Sequence, residues 1–297
     1  MKKKNRSSKN KTETIKGLLF LTPNILGFLV FIVIPIFFGI YISFTNYNGF
    51  NKMDFVNFDN YIKLFKDTFF ITAFKNNIFY TVTSVPLTII ASLLLAIALN
   101  RALKFGGFFK TVYFFPSITS MVAIGIVWSM IFNPTKGPIN MLLSSLGVDD
   151  LPKWLSSSKT ALFTIVLIVV WKNAGYYMVM FLAGLKSIPK ELYEAADIDG
   201  ANGIRKFWSI TMPMLSPTTF MVTILCIISS FQVFDIINIT TKGGPGQSTK
   251  VIAYRIYEES IKNLRFGYGA AMSFALFLII FIVTLIQFRG QKKWVNY

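Results

Sequence analysis

Lys172, Asp235 and a run of acidic groups (Glu191, Glu194, Asp197 and Asp199) are the side chains here with the clearest capacity for chemistry. Lys172 interrupts a long apolar run, Asp235 lies near the end of another, and the acids share one short polar stretch, residues 191–213. Such groups can pair, hydrate or couple to a partner, but they do not form a bond-breaking constellation. The chain has 297 residues, no histidine and one cysteine, Cys226. A serine–histidine–aspartate relay cannot be built, and a zinc site would lack its usual ligands. Cys226 has no intrachain disulfide partner and lies in an apolar run, as a buried inert thiol does. No GxxxxGK followed by Ser or Thr is present to cradle a nucleotide phosphate. No catalytic residue, metal site or cofactor is therefore assigned, and a membrane-embedded enzyme is a remote alternative.

The elements that must carry these groups are written in the hydropathy. The chain is 54% hydrophobic and 14% charged, with 31 phenylalanines; a soluble domain carries about a quarter charged residues, so lipid is the main solvent. The net charge of +17 does not imply nucleic acid, because lysine and arginine cluster at the ends of apolar runs, where they set topology. A bilayer core needs roughly 20 apolar residues per helix. Six runs meet that length, at about 18–44, 76–100, 111–132, 161–184, 214–238 and 266–288. They are too long and too uniformly apolar for barrel strands, so an all-α membrane protein of six helices is predicted. Pro23 falls near the entrance of the first span and Pro35 inside it, where a kink is expected. With the N-terminus in the cytoplasm, inner segments hold 17 basic residues and outer loops 12, which favours both termini inside. Residues 1–17 then form a disordered basic tail, 18–288 a single transmembrane domain, and 289–297 a second cytoplasmic tail. Residues 101–110 form a short basic inner turn. The outer loops carry turn signals at Asn133-Pro134 and at 241–246, and an aromatic loop at 45–75 suited to the interface.

This topology places residues 185–213 in the cytoplasm, between the fourth and fifth spans. Pro189 suits the first turn of a helix, and Glu191 and Glu194 near that start complement the macrodipole. Leu192, Ala195, Ala196 and Asp199 share one face. Gly200 and then Asn202-Gly203 end the helix, residues 204–212 begin a second, and Pro213 marks the return to the membrane. The small Ala195 and Ala196 allow another surface to come close.

The spacing of this stretch resembles the EAA loop of the inner-membrane subunits of bacterial ATP-binding-cassette importers. Glu194-Ala195-Ala196 is followed by three residues, Gly200, nine residues, Ile210, Thr211 and Met212-Pro213. The one departure is Met212 where the pattern has leucine, a swap of similar volume. Further stretches resemble the carbohydrate-uptake, maltose-type branch: FFPS at 114–117, Trp128 with Phe132, SFQVFD at 230–235, GGP at 243–245 and YGAAMS at 268–273. The resemblance runs over nearly the whole chain. It implies the type I importer (MetI-like) architecture, a second homologous permease subunit, two cytoplasmic ATPases and an extracellular solute-binding protein. It also implies that Glu194, Ala195, Ala196, Asp199, Gly200, Ile210 and Pro213 form the coupling element, with Glu194 anchoring in a cleft of the ATPase. ATP hydrolysis belongs to the partner, and the pore works by alternating access.

In such transporters the solute sits near the midplane, among polar groups facing the interior. The fourth span offers Trp171, Lys172, Asn173, Gly175, Tyr176 and Tyr177; the fifth offers Ser229, Ser230, Gln232, Val233, Phe234 and Asp235. Lys172 and Asp235 are expected to face the path or the partner subunit. Small-residue helix packing is the competing reading for the two serines, and lipid or interface packing for Trp171. Ser229, Ser230 and Val233 replace the larger aromatic or amide residues of the maltose-type pattern, which argues against maltose itself. A sugar or oligosaccharide is the expected cargo; glycerol 3-phosphate or another polyol phosphate is the alternative, which would call for basic groups in the pore.

Overall fold

The computed structural model describes residues 4–50, 53–100, 105–291 and 295. Among these the chain is helical, with one isolated antiparallel bridge, Thr45 to Phe55. Five helices are long and apolar enough to cross a membrane, and six spans result if one sharply bent pair counts as a span.

The first span is α1 (Lys4–Phe28), a π-turn at Leu29–Val33, and α2 (Ile34–Ser43). Proline cannot donate to the preceding turn and its ring crowds it; widening the helix at Leu29–Val33 just ahead of Pro35 relieves that conflict. Helix α1 starts at Lys4, so most of the basic segment expected to be disordered is helical, continuing the apolar helix that follows it. The amphipathic α3 (Asp59–Lys66) leads into α4 (Thr68–Asn100), which begins eight residues before the expected boundary at 76. Lys75 set that boundary in the sequence, but a helix does not stop where its apolar part stops. The inner turn expected at 101–110 lies partly outside the described residues.

The third span departs most from expectation. In place of one straight helix at 111–132 there are α5 (Gly106–Ile118) and α6 (Met121–Ile131), bent by 99°. Pro116 weakens the last turn of α5 and Thr119 is extended (φ −73°, ψ 142°). The short α7 (Pro138–Ser145) follows, then α8 (Ala161–Ser187). Helix α8 is the most buried of the spans and packs along α4. Gly175 makes its approach to α5 possible: a Cβ there would lie 1.8 Å from the Tyr113 carbonyl oxygen.

After α8 come α9 (Lys190–Ile198) and α10 (Gly203–Lys206), a π-turn at Phe207–Thr211, and α11 (Met212–Met214). The expected second short helix is thus widened ahead of Pro213, as the first span is ahead of Pro35. The fifth span comprises α12 (Ser216–Phe231) and α13 (Asp235–Thr240), with the helix interrupted at residues 232–234. Helix α14 (Ile252–Tyr257) and a π-turn at Glu258–Lys262 precede α15 (Phe266–Gln291). One apolar core joins α6, α8, α13 and α14 through Ile124, Ile165, Ile168, Ile236, Ile237 and Tyr254. A second joins α4, α8 and α12 through Val85, Met178, Phe181, Leu215 and Val222. The polar groups described next lie where these two cores leave space between them.

Candidate functional site

A cleft of about 390 Å³ opens between α4, α6, α8 and the break after α12. From α8 it is lined by Val169, Asn173, Tyr176 and Tyr177, and from the fifth span by Ser229, Gln232, Val233, Phe234, Asp235 and Ile236. Asn173 through Tyr177 lie at the middle of α8. A smaller hollow continues inward along Tyr80, Ser84, Val85, Thr88, Cys226 and Ser230. The lining is therefore phenols, hydroxyls and amides on an apolar base. Asp235 is its one carboxyl side chain, and among the described residues no lysine or arginine lines it. The helix interruption at 232–234 turns Gln232 and Asp235, both exposed, into the cleft mouth. Phe234 is held from behind by Tyr254 and Tyr257, at centroid distances of 6.1 and 5.2 Å.

Eight of the twelve residues proposed from the sequence for the solute path line this cleft, and Ser230 lines its inner extension. Ser230 is also a packing residue: its hydroxyl meets Thr81 Oγ1 at 2.9 Å and its carbonyl accepts from Asn77 Nδ2 at 3.2 Å. Gly175, Trp171 and Lys172 line neither hollow. Gly175 serves the contact with α5. Trp171 stands edge-on to Trp128 at 5.3 Å, and Trp128 stacks on Phe132 at 5.1 Å. Lys172 turns to the bent third span, where its Nζ donates to the Ser117 carbonyl at 2.8 Å. Tyr80, Ser84 and Thr88 were not anticipated. They recur every fourth residue along the otherwise apolar α4, which puts them on one helical face; that spacing is a signal the sequence carried.

The second candidate surface is the hairpin of α9 and α10. Helix α9 ends in a Schellman motif: Ala201 N–H donates to the Ala196 carbonyl at 2.9 Å and Gly200 N–H to Asp197 at 3.1 Å. Gly200 takes φ +72°, a left-handed conformation open to glycine at little cost. Asn202 caps α10 by accepting from Arg205 N–H at 2.9 Å. Two contacts close the hairpin: the ion pair of Asp197 with Lys206, and Tyr193 Oη to Thr211 Oγ1 at 2.9 Å. Ile210 and Tyr193 pack against the inner core of α4, α8 and α12. Pro213 occupies the start of α11. Glu194, Ala195, Asp199 and Gly200 are exposed and Ala196 is half-buried. Around them Ile198, Ile204 and Trp208 are 88%, 74% and 64% exposed. Large apolar side chains in that state, rimmed by charge, mark an interaction surface.

At the opposite end of the bundle a charge cluster escaped the sequence reading. Buried Arg255 binds Glu258 at 2.9 Å and Glu259 at 2.8 Å, and Tyr268 donates to Asp67 at 2.8 Å. Lys250 also reaches Glu258, at 2.9 Å. Burial opposes ionisation of Glu258, but the hydrogen bonds from Lys250 and Arg255 outweigh it and hold the carboxyl below its usual range.

The comparisons with known proteins agree with this arrangement. The family model described as "Binding-protein-dependent transport system inner membrane component" matches residues 77–294. The arabinooligosaccharides transport system permease protein AraP of Bacillus subtilis is 37% identical, over 91% of this chain and 87% of its own. The sn-glycerol-3-phosphate transport system permease protein UgpA of Agrobacterium fabrum is 32% identical, over 94% and 95%. A solved structure of a bacterial ABC transporter involved in the import of the acidic polysaccharide alginate has a chain that matches with TM-score 0.85 at 23% identity, over 98% of this chain and all of that one; at that identity the likeness speaks for the fold. The chain belongs to the inner-membrane permease components of binding-protein-dependent ATP-binding-cassette importers, and it lies in the membrane as a multi-pass protein.

Proposed function

We propose that this permease carries a neutral sugar or oligosaccharide across the cytoplasmic membrane by alternating access and has no catalytic chemistry of its own. The carrying observation is the composition of the cleft. Tyr80, Asn173, Tyr177, Ser229 and Gln232 offer the phenols, hydroxyls and amides that pair with sugar hydroxyls, and no cation lines the space. The similarity to the arabinooligosaccharide permease supports the same reading. A polyol phosphate is the second reading, favoured by the similarity to UgpA. An anion would meet Asp235 in this cleft, and Lys172, the basic residue at the middle of α8, is engaged with Ser117. The neutral sugar is therefore the better fit.

In this reading Glu194, Ala195, Ala196, Asp199, Gly200, Ile210 and Pro213 form the coupling element. The exposed hairpin engages one of two cytoplasmic ATPases, a second homologous permease completes the pore, and a binding protein delivers the solute outside. Both termini face the cytoplasm, with 1–17 and 289–297 as tails to a single membrane domain. Movement of the hairpin reaches the cleft directly, because α8 and the fifth span carry both. The test is ATPase activity of the full complex, with its binding protein, in liposomes. Neutral oligosaccharides should stimulate it and glycerol 3-phosphate should not; stimulation by glycerol 3-phosphate alone would overturn the sugar reading.

A further inference from the structure

Two clefts adjoin where α3, α4 and α15 meet, at the end of the bundle away from Glu194, and the transport path uses neither. One holds about 480 Å³ and is wholly apolar, formed by Leu64 and Phe65 of α3, Phe70 and Phe74 of α4, and Leu278 and Ile282 of α15. The other holds about 590 Å³ and is basic, with Lys63, Lys66, Lys250, Arg255 and Arg265 facing Asp67 and Glu259. Helix α3 is their shared wall. At about 100° per residue, Lys63 and Lys66 project to one side of it, and Leu64 and Phe65 to the other. The two spaces thus meet around the edge of an amphipathic helix of the kind that lies in a membrane interface.

The charges of the basic cleft do not balance. Its five cations face two acids, and Glu258 behind them adds a third, leaving an excess of two. Arg255 and Lys250 are engaged by Glu258 and Glu259. Lys63 and Lys66 form no salt bridge among the described residues; Lys63 rests on the Tyr268 ring, 4.7 Å from its centroid. Arg265 is 58% exposed and reaches Glu259 only at 3.4 Å, after Arg255 has taken that acid at 2.8 Å. Three accessible cations thus stand beside a groove whose walls face lipid, with Phe65 79% and Ile282 53% exposed.

We propose that an anionic phospholipid occupies this pair of clefts, its phosphate against Lys63, Lys66 and Arg265 and an acyl chain in the groove between α4 and α15. Lipid tails are as apolar as the groove, so the tail contributes fit and the headgroup contributes selectivity. The proposal is independent of which solute the pore carries.

The test is native mass spectrometry of the full chain taken from bilayers of phosphatidylcholine with equal minor amounts of phosphatidylglycerol and phosphatidylethanolamine. Phosphatidylglycerol should be retained in preference. Replacing Lys63, Lys66 and Arg265 together by Gln should lower that retention about a hundredfold, the combined effect of three cations near a membrane surface. Leu278→Trp should displace the lipid by filling the groove, with those cations intact. Circular dichroism melts unchanged from wild type show that the variants fold, and Phe277→Trp on the neighbouring lipid face controls for bulk if Leu278→Trp does not. Equal retention of phosphatidylethanolamine, unchanged retention in the triple variant, or displacement of the lipid by inorganic phosphate alone would each overturn the proposal. So would protection of Lys63 and Lys66 from amine labelling by a solute-binding protein, without preferential lipid retention.

Discussion

Lys172 shows how one side chain decides the shape of its surroundings. An ammonium halfway along a span costs several kcal/mol unless paired or hydrated, so its partner matters. That partner is the Ser117 carbonyl, which α5 leaves without an intrahelical donor by breaking at Thr119. A cation at the C-terminal end of a helix also opposes the negative end of its dipole. Lys172 therefore holds the bent third span in place. Lys172→Met should leave a half-buried acceptor unpaired, at a cost of about 1 kcal/mol or more, and lower the melting temperature in detergent by several degrees. Lys172→Arg, which keeps both donor and charge, should recover most of the loss. Tryptophan fluorescence melts check this; a Met variant that melts like wild type would show that the tether carries no stability. If Lys172 touched the solute instead, the Met variant would shift the apparent KM for uptake and leave the melt alone.

At the scale of the element, the α9–α10 hairpin keeps the ties that fold it apart from the residue proposed to couple it to an ATPase. Its internal ties (Asp197 with Lys206, Tyr193 with Thr211, and the Gly200 turn) use other residues than Glu194, which is exposed and makes no salt bridge among the described residues. Glu194→Lys should therefore leave membrane insertion and the melt unchanged and abolish solute uptake. Normal uptake in that variant, measured with radiolabelled sugar in whole cells, would remove the coupling role from this hairpin. Gly200→Ala is the complement: its Cβ would touch nothing within 4 Å, so only the left-handed backbone is penalised, by about 1–2 kcal/mol. The hairpin was legible in the sequence because its cap, its stop and its motif spacing are contiguous. The bend between α5 and α6 was not. Hydropathy sees two apolar halves and joins them, while the bend depends on Lys172 and Gly175, which arrive from another helix. The cleft-lining residues of α4 were hidden in the same way, since Tyr80, Ser84 and Thr88 vanish into the mean of an apolar run.

Over the whole molecule, the contacts that lock the ends of the spans are those most distant in sequence. Lipid gives little drive for one apolar helix to pack on another, so polar clamps outside the bilayer core carry more of the task. The cluster of Asp67, Arg255, Glu258, Glu259 and Tyr268 joins the start of α4 to α14 and α15. None of these residues signalled a partner in the sequence, since residues 67 and 268 meet only in the folded bundle. Glu258 makes the cluster sensitive to acid. Its folded pKa lies below its unfolded value, near the ordinary glutamate pKa of about 4.3. Its contribution is therefore complete above that value and is lost as pH falls through the folded pKa. The melting temperature of the detergent-solubilised chain should accordingly be flat from about pH 7 to pH 5 and decline below. Arg255→Met should lower stability at neutral pH by about 3–5 kcal/mol, because it leaves buried acids short of a counter-charge. In that variant protonation relieves repulsion between Glu258 and Glu259, so acidification should flatten or invert the decline. Melts of both proteins across this pH range decide the matter: parallel curves would mean that Arg255 and the two glutamates do not act as one clamp.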